Sequence, residues 1–114
     1  MSREKYREAV AILRRVEDGK SGGGYEETYR QAGVTSAEVR DEKYDITAAD
    51  QGAPLTEVKI FSFRRRQILP DDLLRWRGDA YEIVYIDEYD HRGREMRVRG
   101  RRRRDHWSLA GENA

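Results

Sequence analysis

The second half of the chain shows the clearest alternation of apolar and polar positions. Residues 80–89 are rich in the β-branched and aromatic residues that suit a pleated sheet. Residues 90–93 follow as a polar turn that ends in a glycine, which can adopt positive φ. In the next segment Met96, Val98 and Gly100 alternate with charged residues. This period of two predicts a β-hairpin with one face on a core and the other facing water, a partner or nucleic acid.

The rest of the chain contains weaker strand patterns. Residues 56–67 hold four large apolar residues and predict a strand that leaves the core at three consecutive arginines. Pro70 then indicates a turn, because proline cannot continue a central strand. Residues 9–16 fit both a helical stripe and a strand, and we favour a strand. A glycine-rich loop follows, and then a polar run at residues 25–31 and a possible strand at residues 34–40.

Two segments have little apolar periodicity. Residues 41–54 predict a loop that is long for so small a domain, with room for a short helix capped by Thr47. We expect the tail, residues 105–114, to fray, with Trp107 and Leu109 as the side chains that could anchor it. Together the patterns predict one mainly β domain over residues 1–114. It is a small antiparallel β-barrel or sandwich of about six strands.

Composition limits the functions that this chain can have. Its 114 residues are 39% charged but carry a net charge of only +1, which argues against disorder driven by self-repulsion. The absence of cysteine excludes disulfides and thiolate metal sites. No apolar run approaches the roughly 20 residues that cross a bilayer, and the first residues do not form a signal peptide. We therefore expect a soluble cytoplasmic protein without a membrane partner.

The residue types needed for catalysis are scarce. His91 and His106 are the only histidines, and no serine lies in a nucleophile-elbow context. Asp87 and Glu88 are adjacent on a predicted strand, so they point to opposite faces and cannot both bind one metal ion. The sequence therefore predicts no enzymatic activity, no catalytic residue, no cofactor and no metal site.

Charge is concentrated near the end of the chain, where residues 91–104 contain eight arginines and one glutamate. Such a block could line a groove for phosphates, since arginine binds them bidentately. A strand sends Arg101 and Arg103 to one side and Arg102 and Arg104 to the other, so no single stripe can form. One strand also carries Tyr81, Ile83, Tyr85 and Tyr89 on one face. Core packing is the default interpretation of that face, and base stacking is the alternative.

Three runs carry a resemblance to a known family. They are Phe61-x-Phe63-Arg64, Ile68-Leu69-Pro70-x-Asp72 and Trp76-x-Gly78-x-x-Tyr81-Glu82-Ile83. With the polar hairpin and the strand at residues 94–99, they resemble the head–tail joining proteins of tailed bacteriophages, also called head-completion, adaptor or stopper proteins. The match covers about half of the chain well. Thr35 and Ser36 stand where the family usually has a tryptophan or another large residue.

The resemblance implies a structural virion protein. Such proteins assemble as a ring beneath the portal, complete the head after DNA packaging and dock the tail. It further implies portal or adaptor and tail proteins as partners, a monomer in dilute solution, and a location in the virion after a period in the host cytoplasm. DNA would pass nearby without specific binding. The alternative function is a small nucleic-acid-binding β-barrel module that uses the arginine-rich hairpin.

A ring needs two different patches that meet between neighbouring copies. Complementary charge selects the candidate interface residues, which are Arg64, Arg65, Arg66, Asp87, Glu88, Asp90, Arg101, Arg102, Arg103 and Arg104. The long loop supplies the candidate channel or gating residues, which we expect to be mobile in the isolated protein: Tyr44, Asp45, Ile46, Thr47, Ala48, Ala49, Asp50 and Gln51.

Overall fold

A computed structural model of the chain describes residues 5–16, 27–42, 57–87 and 93–110. These residues form seven β-strands and no helix. The strands are β1 (Glu8–Arg15), β2 (Glu27–Asp41), β3 (Val58–Arg64), β4 (Leu73–Trp76), β5 (Asp79–Asp87), β6 (Glu95–Arg102) and β7 (Trp107–Leu109). The predicted all-β class is confirmed, and so is the strand at residues 9–16. Within the described ranges, no helix is long and apolar enough to span a membrane.

The strands form one sheet in the order β1-β4-β5-β6-β3-β2-β7, and a further pairing of β1 with β2 joins six of them into a ring. Strand β2 makes this closure possible because it is 15 residues long. Its first part pairs with β1, and its last part pairs with β3. The register shifts opposite Ile12 and Leu13, where Gly33 lies on β2. The runs at 25–31 and 34–40 are therefore not separate, since one bulged strand spans most of both.

The turn between β4 and β5 has two residues, Arg77 and Gly78. Both have positive φ, 52° and 86° respectively. Such turns match the right-handed twist of the paired strands. Glycine at the second position adopts positive φ without steric strain. This hairpin adds β4, a strand that the alternation of apolar and polar residues does not predict. Gly93 has a φ of 71°, in agreement with the positive φ expected of it, while the rest of the predicted turn lies outside the described residues.

The core lies inside the ring and alternates as the sequence predicts on β6. Met96 and Val98 are buried there, and Gly100 lies against the aromatic centre of the core. A Cβ atom on Gly100 would be 3.0 Å from the Tyr81 Cβ and 3.1 Å from the Phe61 Cε1. The main cluster consists of Val10, Ile12, Ala37, Phe61, Phe63, Leu74, Tyr81, Met96 and Val98. Phe61 packs edge-to-face on Tyr81 at a ring separation of 5.3 Å.

The predicted aromatic face on β5 is wrong. The register with β6 shifts between Ile83 and Tyr85, which marks a bulge at Val84. Because a bulge adds one residue, the alternation changes side there. Tyr81 is buried, whereas Tyr85 is 57% exposed. Tyr89, the last member of the expected face, lies outside the described residues.

Near one end of the ring a smaller cluster holds Leu13, Tyr29, Leu73 and Ala80. Trp107 and Leu109 pack against it from β7, which pairs with β2 in parallel. The two side chains named as possible anchors of the tail thus make contact with the domain, while residues 111–114 lie outside the described ranges. Strand β7 also makes the sheet mixed, where the sequence analysis expected antiparallel pairing throughout.

Candidate subunit interface

The arginines near the end of β6 are paired with acidic residues of the same chain. The Arg99 Nε lies 2.6 Å from a Glu42 carboxylate oxygen, and Arg101 reaches Glu82 at 3.4 Å. Arg102 lies between two carboxylates, at 3.3 Å from Asp79 and 3.6 Å from Glu57. Each exposed pair contributes little to stability, but together they neutralise the charge of this strand.

The Arg103 side chain is only 9% exposed and takes part in a small network. It donates to the Tyr29 hydroxyl at 2.8 Å and lies 2.8 Å from a Glu27 oxygen. The Tyr29 hydroxyl in turn donates to Glu27 at 2.9 Å. Hydrogen bonds from Tyr29 and Arg103 lower the pKa of Glu27. Burial opposes the charge on Arg103, but its bonds to Glu27 and Tyr29 outweigh that effect and raise its pKa. Arg103, which directly follows β6, therefore links the end of that strand to β2, and its charge is balanced by Glu27 of the same chain.

The other predicted basic cluster, Arg64, Arg65 and Arg66, divides between two places. Arg64 and Arg65 line an open depression of about 670 Å³, together with Lys5, Tyr6, Gly93, Arg94 and Glu95. Glu95 is engaged there by Lys5 at 2.9 Å and by the Tyr6 hydroxyl. Arg66 points the other way and donates to the Val34 carbonyl at 3.4 Å, across the backbone of Gly33.

The acidic candidates lie at the end of β5. Asp87 is half-buried, pairs in register with Arg97 of β6, and forms no ion pair with any described residue. Glu88 and Asp90 lie outside the described residues, and so do the loop candidates Tyr44–Gln51. The structure thus places Arg66 and Asp87 on different strand edges, and among the described candidates no basic residue forms an ion pair with Asp87.

The turn before β4 holds a buried carboxylate, Asp72, beside the exposed Asp71. Asp72 is buried and accepts two hydrogen bonds from Arg14, at 3.0 and 2.9 Å. It also accepts one from the Leu69 backbone N–H at 2.9 Å, so its oxygens are occupied. Across the described ranges, no group of three or more potential ligands could hold a metal ion. The sequence alone gives no sign of this ion pair, because its partners are 58 residues apart.

A family model described as phage head completion protein matches residues 1–103. The chain belongs to this family. Membership confirms the resemblance seen in the sequence and identifies a structural protein of the phage head, a component of the virion. A search of curated proteins finds no match.

Two solved structures share the fold of this head completion protein. The solution structure of protein SF1141 from Shigella flexneri 2a is 17% identical with a TM-score of 0.62. The alignment covers 90% of this chain and 96% of that one. A chain from the virion of a native gene transfer agent particle is 16% identical with a TM-score of 0.57, and the alignment covers 82% of this chain and 90% of that one.

Proposed function

We propose that the protein forms a ring beneath the portal, where it completes the packaged head and presents the surface on which the tail docks. Its membership of the head completion family carries the proposal. The likeness of its fold to a chain of a gene transfer agent virion is in keeping with it. Such a ring works by geometry, and it requires one patch of each copy to meet a different patch of the next.

The ion pairs within the subunit indicate which of the candidate interface residues are available to a neighbouring copy. Arg101, Arg102 and Arg103 already have acidic partners in their own subunit, and removing them from those partners would leave carboxylates unpaired. Arg66 and Asp87 lack such partners among the described residues. We therefore propose that the basic side of the interface lies at Arg66 and the acidic side at Asp87. The assignment of Tyr44–Gln51 to the channel stays a prediction from the sequence.

A head-completion experiment tests the proposed function. Phage heads made without this protein should be filled with DNA but should lose it and fail to bind tails. Addition of the purified protein should restore DNA retention, tail attachment and infectious titre, and cryo-electron microscopy should show a ring at the portal vertex. The added protein should be monomeric beforehand, as measured by light scattering. Heads that gain infectivity without a ring at that vertex would contradict the connector role.

The alternative of a nucleic-acid-binding module makes a different prediction. Because most arginines of β6 are neutralised within the chain, we expect the isolated protein to bind duplex DNA more weakly than about 10 μM at physiological salt, with a shallow salt dependence. Titration of a labelled duplex at two salt concentrations measures both quantities. Binding below about 1 μM with a steep salt dependence would favour the module over the connector.

A further inference from the structure

Several described strand segments have a neighbouring strand on one side only, and two of them also carry exposed apolar side chains. Strand β4 pairs with β5 no further than Glu82, so residues 83–87 of β5 are paired with β6 alone. On β2, the pairing with β7 ends at Tyr29 and the pairing with β3 begins at Ala37. Residues 30–36 of β2 are therefore paired with β1 alone. Such open edges present backbone N–H and C=O groups that can pair with another chain.

These two edges also carry most of the exposed apolar side chains. Within the described residues, the large hydrophobic side chains that are clearly exposed are Val34 at 55%, Leu69 at 37%, Val84 at 49% and Tyr85 at 57%. Val34 lies on the open edge of β2, and Val84 and Tyr85 lie on the open edge of β5. A single exposed apolar residue is unremarkable. Three of them on two unpaired edges indicate surfaces that become covered.

The two edges lie on opposite sides of the molecule. In the ring of six strands, β2 and β5 are three steps apart in either direction, through β3 and β6 or through β1 and β4. A head-to-tail assembly needs two different patches on each copy, separated so that both can be occupied at once. The positions of the two edges meet this condition.

Charge at the two edges is complementary. Arg66 lies along the β2 edge, where its contact with the Val34 carbonyl is long at 3.4 Å and its buried Nε has no hydrogen-bond partner among the described residues. Asp87 lies at the end of the β5 edge and has no ion pair among the described residues. A carboxylate is a better acceptor for a guanidinium than a distant carbonyl is, so an Asp87 from another copy would improve the bonding of Arg66.

We propose that residues 83–87 of β5 in one copy pair with residues 30–36 of β2 in the next copy, with Val84 and Tyr85 against Val34 and Asp87 against Arg66. This inference rests on the proposed ring and names its interface. A stretch of five residues is only about 17 Å long. It can supply just a part of the roughly 800 Å² per partner that a standard interface buries. The isolated protein therefore stays monomeric and assembles on a template that holds copies side by side.

Cross-linking tests the proposal, since the natural chain contains no cysteine. The double variant V34C/V84C is bound to DNA-filled heads that lack the protein, and a short bismaleimide is added. Each copy then carries both reactive positions, so we expect a ladder of covalent oligomers on a denaturing gel. Each single variant should stay monomeric, because position 34 never meets position 34 in this arrangement. Both positions are exposed, and circular dichroism verifies that the variants fold.

A matched control uses L69C/V84C, because Leu69 is exposed but lies in a turn and not on an open edge. This pair should give no ladder. Rings seen on the heads without a ladder from V34C/V84C would overturn the inference and leave the proposed function intact. Dimers from V34C alone would also overturn it, in favour of a two-fold contact. If no ring binds the heads, the proposed function fails and the inference fails with it.

Charge reversal gives a second measurement on the same interface. R66E and D87R should each reduce the number of copies bound per head about tenfold, and the double reversal should restore most of the loss. Equal losses in the single and double variants would contradict a direct contact between these two residues.

Discussion

Replacement of Phe61 by alanine is expected to lower the free energy of unfolding by about 3–5 kcal/mol. The side chain is fully buried at the centre of the ring, where it contacts Tyr81 and Trp76 edge-to-face. Its removal leaves a cavity that the closed ring of strands cannot collapse to fill. Urea unfolding followed by tryptophan fluorescence measures the loss. Since small domains have only about 5–15 kcal/mol of stability, the variant should be partly unfolded at 37 °C.

Tyr85→Ala is the matched control for this prediction. Tyr85 is also an aromatic residue of the sheet, but it is 57% exposed. We expect its removal to change the unfolding free energy by no more than about 0.5 kcal/mol. A loss at Tyr85 comparable to that at Phe61 would mean that the bulge on β5 does not turn this side chain outward.

Replacement of Asp72 by alanine is expected to cost about 3 kcal/mol in unfolding free energy. Asp72 is buried, and its removal deprives Arg14 of a two-point ion pair and the Leu69 N–H of its acceptor. Breaking a buried pair from one side is costly because the remaining charge stays uncompensated. The same urea experiment measures this loss, and a cost below about 1 kcal/mol would contradict the role given to the pair.

Two further variants make the Asp72 result specific. Asp71→Ala changes the adjacent carboxylate, which is exposed, and should alter stability by less than about 0.5 kcal/mol. The double variant R14M/D72L replaces both charges by apolar groups of similar size. It should recover much of the loss, because an apolar pair can substitute for a buried ion pair.

The sequence predicted those parts of the fold that depend on local patterns. The alternation of Met96, Val98 and Gly100 with charged residues identified β6 and its buried face, because a strand of a half-buried sheet must alternate. The turn at Gly93 was predictable for the same local reason. The strand at residues 9–16 was also favoured, although β1 also fits a helical stripe.

Features that depend on distant partners could not be predicted in this way. The bulge at Val84 exists only relative to β6, and it turned the expected aromatic face of Tyr81 and Tyr85 into one buried and one exposed ring. The acidic partners of Arg102 and Arg103 come from strands that are remote in the sequence. The arginine block therefore gave the impression of a free basic surface, whereas Arg99, Arg101, Arg102 and Arg103 each face a carboxylate of the same chain.

The pairing of the β6 arginines with carboxylates of the same chain affects how strongly this strand would attract DNA in a connector. When free arginine or lysine side chains contact DNA phosphates, the counterions bound to the DNA are released. The gain in their entropy stabilises the protein–DNA contact. Strand β6 offers little such gain, because Arg99, Arg101 and Arg102 already face carboxylates. If β6 faces the channel of a connector, its contact with passing DNA would therefore add little salt-dependent attraction.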